Sequence, residues 1–172
     1  MKIVDLLKRE SVELNGKVTS KPEAIEKMVA LMAAGGNLAD VEAYKKGVFA
    51  REEESTTGIG EGIAIPHAKT AAVKAPGLAA MVVKDGVDYD SLDGEPAKLI
   101  FLIAAPDTED NIHLEVLSKL SMMLMDDNFT QSLKNASSVD EFMEIINKAD
   151  EERPNLSEQF GGSEEAPAEE KQ

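Results

Sequence analysis

The sequence predicts a layered α/β domain in which helices cover a largely buried sheet. Segments with helical apolar spacing alternate with short apolar runs, as expected for helices and strands that share one core. The run at residues 99–104 is apolar throughout, which is typical of a central strand covered on both faces. Aromatic residues make up only 4% of the 172 residues, and there is no Trp, so the core must be aliphatic. The order of the strands stays open at this level.

Five segments are predicted to be helical from apolar positions three and four residues apart. The clearest spans residues 21–34, with Pro22 near its start and Gly35-Gly36 at its end. A second helix begins at the cap Asp40 and runs towards Arg51. Three more are expected in the last third: residues 111–125 with Leu117, Leu120 and Leu124 buried, residues 129–133, and residues 139–147 with Phe142, Ile145 and Ile146 facing inward.

Short apolar runs bounded by Gly, Pro or charged residues predict strands at residues 62–66, 78–83 and 99–104. The pairs Asp85-Gly86 and Asp93-Gly94 predict turns. These elements place the folded domain within residues 1–150. Residues 151–172 hold seven acids, two bases and little apolar surface, which predicts an acidic flexible tail or interdomain linker.

The charge balance argues against two classes of partner. Lys and Arg number 18 against 33 Asp and Glu, a net charge of −15 that repels nucleic-acid phosphates and anionic lipid. The absence of Cys excludes disulfides, iron–sulfur clusters and a thiol nucleophile. The sequence starts without the apolar stretch of a signal peptide and has no run near the roughly 20 apolar residues of a membrane span, so we expect a cytoplasmic protein.

The densest local signal is the run from Gly58 to Lys69, in which three glycines at alternate positions precede an apolar strand that ends in Pro66-His67. Proline lacks an N–H and ends strand pairing, so the imidazole is expected at the carboxyl end of the strand, where α/β sheets place ligand chemistry. The glycines match neither the dinucleotide fingerprint nor the P-loop, which disfavours nucleotide binding. A loop histidine that merely ends a strand is the alternative reading.

Two further residues are candidates for holding an anion. His113 falls in the first turn of the predicted helix at residues 111–125, where free N–H groups and the helix dipole favour negative charge. Arg51 closes the second helix before a turn rich in hydroxyls, a composition that holds a phosphoryl group. The alternatives are a surface helix histidine and a charged helix end. A metal site of the two histidines with carboxylates lacks the ligand spacing typical of zinc.

These residues together resemble a known family. Arg51-Glu52, then Thr-Thr-Gly-Ile-Gly-Glu-Gly-Ile-Ala-Ile-Pro-His67-Ala-Lys69, an apolar strand, Leu92-Asp-Gly-Glu-Pro96 and a helix beginning with His113-Leu114 resemble the enzyme IIA domain of fructose/mannitol type. That family belongs to the bacterial phosphoenolpyruvate-dependent sugar phosphotransferase system. The resemblance covers residues 1–148, with Ala68 where many members have Gly.

The resemblance implies a compact α/β domain with a mixed sheet flanked by helices, acting as a phosphotransferase component through a phosphohistidine. His67 matches the phosphorylated residue, Arg51 and His113 match its active-site partners, and Thr57 stands where a hydroxyl helps to bind phosphate. The implied donor is phospho-HPr, the histidine-containing phosphocarrier, and the implied acceptor is a cysteine of enzyme IIB, working with the membrane component IIC. No cofactor or metal is implied.

Two roles fit this resemblance. The first is phosphoryl relay in sugar uptake, with fructose as the family-level expectation, because the sugar itself contacts IIC and not IIA. The second is a regulatory IIA domain, of the nitrogen-related type or linked to a transcription regulator, whose phosphorylation state controls a binding partner. The linker-like tail, suited to tethering a IIB domain, favours the first.

Overall fold

The computed structural model describes residues 2–108 and 111–152, which form six strands and five helices. A single 3-10 turn (Ile3–Leu6) precedes the first strand. In chain order the elements are β1 (Leu7–Glu13), α1 (Lys21–Ala34), α2 (Val41–Glu54), β2 (Gly58–Gly60), β3 (Ile63–Ala64), β4 (His67–Thr70), β5 (Gly77–Val87), β6 (Ala97–Pro106), α3 (Ile112–Met123), α4 (Asp127–Lys134) and α5 (Val139–Glu152).

The sheet is mixed, as the family resemblance implied. Its order is β1-β5-β6-β3-β2, and β4 also pairs with β6. Strand β6 runs parallel to β3 and β4 and antiparallel to β5, while β1 is parallel to β5 and β2 antiparallel to β3. All residues from 99 to 105 are buried, which confirms the prediction of a central strand covered on both faces.

Each face of the sheet carries its own aliphatic core. Helices α1 and α2 cover one face, and α3, α4 and α5 cover the other. The largest buried side chains of the first core include Met28, Met32 and Tyr44, and those of the second include Phe101, Phe142 and Ile65. This arrangement confirms the layered α/β prediction.

The helix prediction for residues 21–34 is confirmed with the same bounds, because its ends are marked chemically. The Ser20 hydroxyl accepts the Glu23 N–H at 3.2 Å, and Pro22 occupies the first turn. Asp40 caps α2 as predicted, through the Ala43 N–H at 3.1 Å. The later helices lie where expected, but Leu117 and Ile145 are only half-buried against the second core.

Two parts of the strand prediction are wrong. Asp85-Gly86 lies inside β5 and forms no turn between elements: Gly86 has φ +79°, within the stretch where the β5–β6 register shifts between Val82 and Val87. The positive φ that an Asp-Gly pair favours is therefore adopted here in a β-bulge and not in a turn. The predicted strand at residues 62–66 pairs only over Ile63–Ala64.

Strands β1 and β2 were not predicted from the sequence. The last helix also ends two residues beyond the expected end of the domain. Four of the seven residues of β1 are charged, and Lys8, Arg9 and Glu10 are exposed, so its strand state depends on pairing with β5. Helix α5 continues through Glu151 and Glu152, which the prediction assigned to the tail. The rest of that predicted tail, residues 153–172, lies outside the described residues. No helix in the described part of the chain is long and apolar enough to cross a membrane.

A buried ion pair joins the helical layer of α3 and α5 to the start of the chain. The Lys119 ammonium lies 3.1 Å from the Asp150 carboxylate, with side chains 6% and 0% exposed. The same carboxylate accepts the backbone N–H groups of Ile3 at 3.1 Å and Val4 at 2.9 Å. Asp150 therefore stabilises three segments that are far apart in sequence.

We expect Asp150→Ala to lower the free energy of unfolding by about 3 kcal/mol or more, because a buried ammonium loses its carboxylate and two N–H groups lose their acceptor. Urea unfolding measures the change. The control is Asp140→Ala, which breaks the exposed ion pair with Arg9 and should cost less than about 1 kcal/mol. Equal effects of the two substitutions would contradict this account.

Candidate active site

His67 lies beside the central strand β6, just after the point where pairing to β6 is interrupted. Ala64 lies opposite Ile100 and His67 opposite Ile103, three residues on in both strands, so β3 and β4 follow β6 in one register. Between them Pro66 offers no N–H, but its carbonyl accepts the Ile103 N–H at 3.0 Å. Pairing ends before Pro66 as predicted, but His67 opens a second short strand and does not close the first.

The His67 ring has a defined tautomer. Its Nδ1 lies 2.9 Å from the carbonyl oxygen of Ile65, and a carbonyl can only accept a hydrogen bond. Nδ1 therefore carries the proton in the neutral ring, and Nε2 keeps its lone pair. The residue is half-buried, so part of it lies at the protein surface.

The pleat of β4 decides which layer His67 faces. A Cβ on Gly47 of α2 would lie 3.5 Å from the Ala68 Cβ and 3.6 Å from the Thr70 Cγ2, so Ala68 and Thr70 point towards α2. Successive side chains of a strand alternate between faces, so His67 and Lys69 point towards the layer of α3.

His113 completes this group from the first turn of α3, as the sequence predicted. Burial lowers the pKa of His113, and the positive charges of Lys69 and His67 lower it further. Its Nδ1 is buried and has no hydrogen-bond partner within the described residues. The Asn111 side chain makes no capping bond to the helix. The structure thus brings His67, Lys69 and His113 together in a setting that lowers the pKa of His113.

Arg51 lies in the last turn of α2, beyond the other face of the sheet. Its Nη1 donates to the Ser55 carbonyl at 3.0 Å and to the Ser55 hydroxyl at 3.4 Å. A guanidinium has five N–H donors, so these contacts with one nitrogen leave others for a ligand. Among the described residues no hydrogen bond joins Arg51 to His67, and the two are linked through the loop that follows α2.

Thr57 differs from the expectation that its hydroxyl faces a phosphate. The residue is 4% exposed, and its hydroxyl donates to the Glu52 carboxylate. Its carbonyl accepts the Ile65 N–H at 3.0 Å, so Thr57 supports the segment that carries His67. Glu52 had no predicted role, because a run of three Glu after Arg51 is typical of a solvated helix end.

Across residues 2–108 and 111–152, no cluster of three or more His, Asp or Glu side chains is arranged to hold a metal ion.

Comparison with known proteins identifies what the chain is similar to. The family model described as "Phosphoenolpyruvate-dependent sugar phosphotransferase system, EIIA 2" matches residues 5–149. The fructose-specific EIIABC component of Bacillus subtilis is 49% identical over 150 residues, which cover 87% of this chain and 24% of that protein. The chain therefore spans about a quarter of the length of that relative.

Two solved structures share the fold. The nitrogen regulatory protein IIA-Ntr of Neisseria meningitidis is 31% identical with a TM-score of 0.75, covering 84% of this chain and 98% of that one. Enzyme IIAMTL of Escherichia coli, solved in complex with phosphorylated enzyme IIBMTL, is 28% identical with a TM-score of 0.71, covering 82% and 98%. The match to the family model over residues 5–149 confirms the resemblance: the chain belongs to the EIIA 2 family of the phosphoenolpyruvate-dependent sugar phosphotransferase system.

Proposed function

We propose that His67 accepts a phosphoryl group from phospho-HPr on Nε2 and passes it to a cysteine of enzyme IIB. The observation that carries this proposal is the hydrogen bond between Nδ1 and the Ile65 carbonyl, which leaves Nε2 as the nucleophile. In the first step the Nε2 lone pair forms the N–P bond while the P–N bond to the donor histidine breaks. In the second step a cysteine thiolate attacks phosphorus and the N–P electron pair returns to Nε2.

The side chains around His67 can stabilise the negative charge of a phosphoryl group during transfer. A transferring phosphoryl group spreads negative charge over three oxygens, so catalysis is mainly positioning and neutralisation. Lys69 supplies a fixed positive charge on the same face, and His113 supplies a ring nitrogen that can hold a proton. The arriving phosphoryl charge raises the pKa of His113, which opposes the lowering by burial and by Lys69. His113 thus gains positive charge only when there is phosphate to neutralise.

Arg51 is assigned to the same task from the α2 layer, through N–H donors beyond those that hold Ser55. Thr57 is assigned to holding the loop, because its hydroxyl is committed to Glu52. No step of this mechanism needs a metal or cofactor.

Sugar uptake is the pathway we favour. The similarity to a fructose-specific EIIABC component supports a fructose-type IIB as acceptor, and the related IIAMTL complex supports docking of a IIB domain. On this proposal residues 1–150 are the transfer domain, residues 151–172 tether it to IIB, and the chain works in the cytoplasm beside the membrane component IIC.

A regulatory role is the second candidate. The observation that favours it is the TM-score of 0.75 to the nitrogen regulatory protein, against 0.71 to IIAMTL. In that case the phosphorylated chain controls a binding partner and passes no phosphate to sugar. Transfer from the phosphorylated protein to a panel of purified IIB domains separates the roles, since rapid transfer to a fructose-type IIB supports uptake and transfer to none supports regulation.

Incubation with enzyme I, HPr and phosphoenolpyruvate should add one acid-labile phosphate, and His67→Ala should add none, because no other nucleophile replaces Nε2. Phosphorus NMR of the wild-type product should show the N–P bond at Nε2. His67→Ala that still takes up the label overturns the assignment of His67, and a bond at Nδ1 overturns the tautomer argument.

His113→Ala should still accept phosphate, but at a rate lower by about tenfold to a hundredfold, because one charge-assisted hydrogen bond to the phosphoryl group is lost. Rapid-quench measurement of transfer to and from HPr determines the effect in both directions. Rates equal to those of the wild type would make His113 a structural residue only.

The His113 ring should titrate below the ordinary histidine pKa of about 6.5, and Lys69→Gln should raise that pKa by removing a nearby positive charge. Proton NMR titration of the ring measures both values. Because the unfolded chain binds the proton more readily, the His113 contribution makes the fold more stable as pH rises through the interval below 6.5. A Lys69→Gln protein with an unchanged His113 pKa contradicts the proposed proximity.

A further inference from the structure

A buried carboxylate lies directly after Arg51 in the sequence. The Glu52 side chain is 6% exposed, whereas Glu53 and Glu54 are exposed. Its Oε1 lies 2.9 Å from the Lys21 ammonium and accepts the Thr57 N–H at 3.0 Å. Its Oε2 accepts the Thr57 hydroxyl and the Tyr89 hydroxyl, the latter at 3.2 Å. Four donors therefore fill the acceptor capacity of one carboxylate.

The donors to Glu52 come from separate parts of the fold. Lys21 opens α1, and its ammonium also lies 4.8 Å from the centre of the Tyr89 ring. Tyr89 follows β5, and burial together with the Glu52 charge raises the pKa of its phenol, which stays a donor at neutral pH. The carboxylate thus fixes the end of α2 against α1 and against the chain after β5.

Two hydrogen bonds extend from this cluster to the reacting imidazole. The Thr57 carbonyl accepts the Ile65 N–H at 3.0 Å, and the Ile65 carbonyl accepts the His67 Nδ1–H at 2.9 Å. Arg51 is held by the same loop, since its guanidinium donates to Ser55. The positions of His67 and Arg51 therefore depend on the position of the loop from Ser55 to Thr57.

We propose that Glu52 is a positioning residue for phosphoryl transfer: it fixes Thr57, so that the Ile65 carbonyl stays aimed at His67 Nδ1 and Nε2 stays free. Glu52 touches neither the phosphoryl group nor Nε2. The inference rests on the proposed function, because positioning His67 matters for transfer only if His67 is the acceptor.

Stability alone is a weak reason for this cluster. Removing charges from water costs free energy that a buried ion pair often fails to recover, and apolar replacements of similar volume are frequently as stable. What a fully satisfied polar cluster supplies is a fixed geometry, because each donor has one acceptor at a set distance. Because the cluster is hydrogen-bonded through Thr57 and Ile65 to His67, its fixed geometry also orients the imidazole.

The test compares Glu52→Gln with its neighbour Glu53→Gln as the matched control. The amide keeps the shape of the carboxylate, but it loses the negative charge that pairs with Lys21, and its NH2 group cannot accept the hydrogen bonds that one carboxylate oxygen accepts. Nitrogen NMR of the unphosphorylated protein should show His67 mainly as the Nδ1–H tautomer in the wild type and in Glu53→Gln, and as a mixture in Glu52→Gln. Phosphoryl acceptance should slow roughly tenfold in Glu52→Gln, with the apparent KM for phospho-HPr changed less than about twofold. A folded Glu52→Gln protein with wild-type tautomer and wild-type rate overturns the proposal, even if its stability has fallen.

A second pair keeps the test decisive if Glu52→Gln fails to fold. Thr57→Val keeps the size of the side chain and the backbone N–H but removes the hydroxyl donor, whereas Thr57→Ser retains it. We expect Thr57→Val to give the mixed tautomer and a slower transfer, and Thr57→Ser to recover most of both. Thr57→Val indistinguishable from Thr57→Ser overturns the proposal.

The two readouts separate this inference from the proposed function. The tautomer is measured without any phosphoryl donor, so it reports on the Glu52–Thr57–Ile65–His67 path whatever the reaction. If phospho-HPr fails to phosphorylate the wild-type protein, the proposed function falls, and a tautomer shift in Glu52→Gln still supports the control of His67 by Glu52.

Discussion

The hydrogen bond between the Ile65 carbonyl and Nδ1 of His67 is the constraint on which the chemistry of this protein depends. An imidazole has two nitrogens of similar basicity, and a free ring exchanges its proton between them. Here a backbone carbonyl 2.9 Å away holds the proton on one nitrogen and leaves the lone pair of the other free. The Pro66 carbonyl accepts the Ile103 N–H of β6, and the Ile65 N–H donates to the Thr57 carbonyl, so the segment that presents the Ile65 carbonyl is held from both sides.

Next to that contact, the alternation of side chains along β4 decides which helical layer each residue faces. The pleat of β4 turns His67 and Lys69 towards α3, where His113 stands in the first turn, and turns Ala68 and Thr70 towards α2. Burial and the nearby charges of Lys69 and His67 lower the pKa of His113. Lys69 thus places a positive charge near both histidines in a chain whose net charge is −15.

Much of the fold and the site was predictable because the responsible signals are local. Helix α1 has its cap, its Pro22 and its apolar spacing within one segment, and β6 is apolar over its whole length. His67 and His113 stood out because few side chains titrate near neutral pH. The failures share another cause: β1 becomes a strand through pairing with β5, and Asp85-Gly86 forms a bulge because β5 continues past it. Leu117 is half-buried because packing against the second core decides which side of α3 is covered.

By itself the sequence determined the layered α/β class, the family to which the chain belongs and the candidate residues for its chemistry, because periodicity, capping and the Pro-His motif are written in consecutive residues. The tertiary structure alone decided which nitrogen of His67 is free, that burial lowers the pKa of His113, and that the Glu52 side chain is buried while Glu53 is exposed. Those properties arise from contacts between residues far apart in the chain, where burial sets the cost of a charge and strand register sets which groups meet.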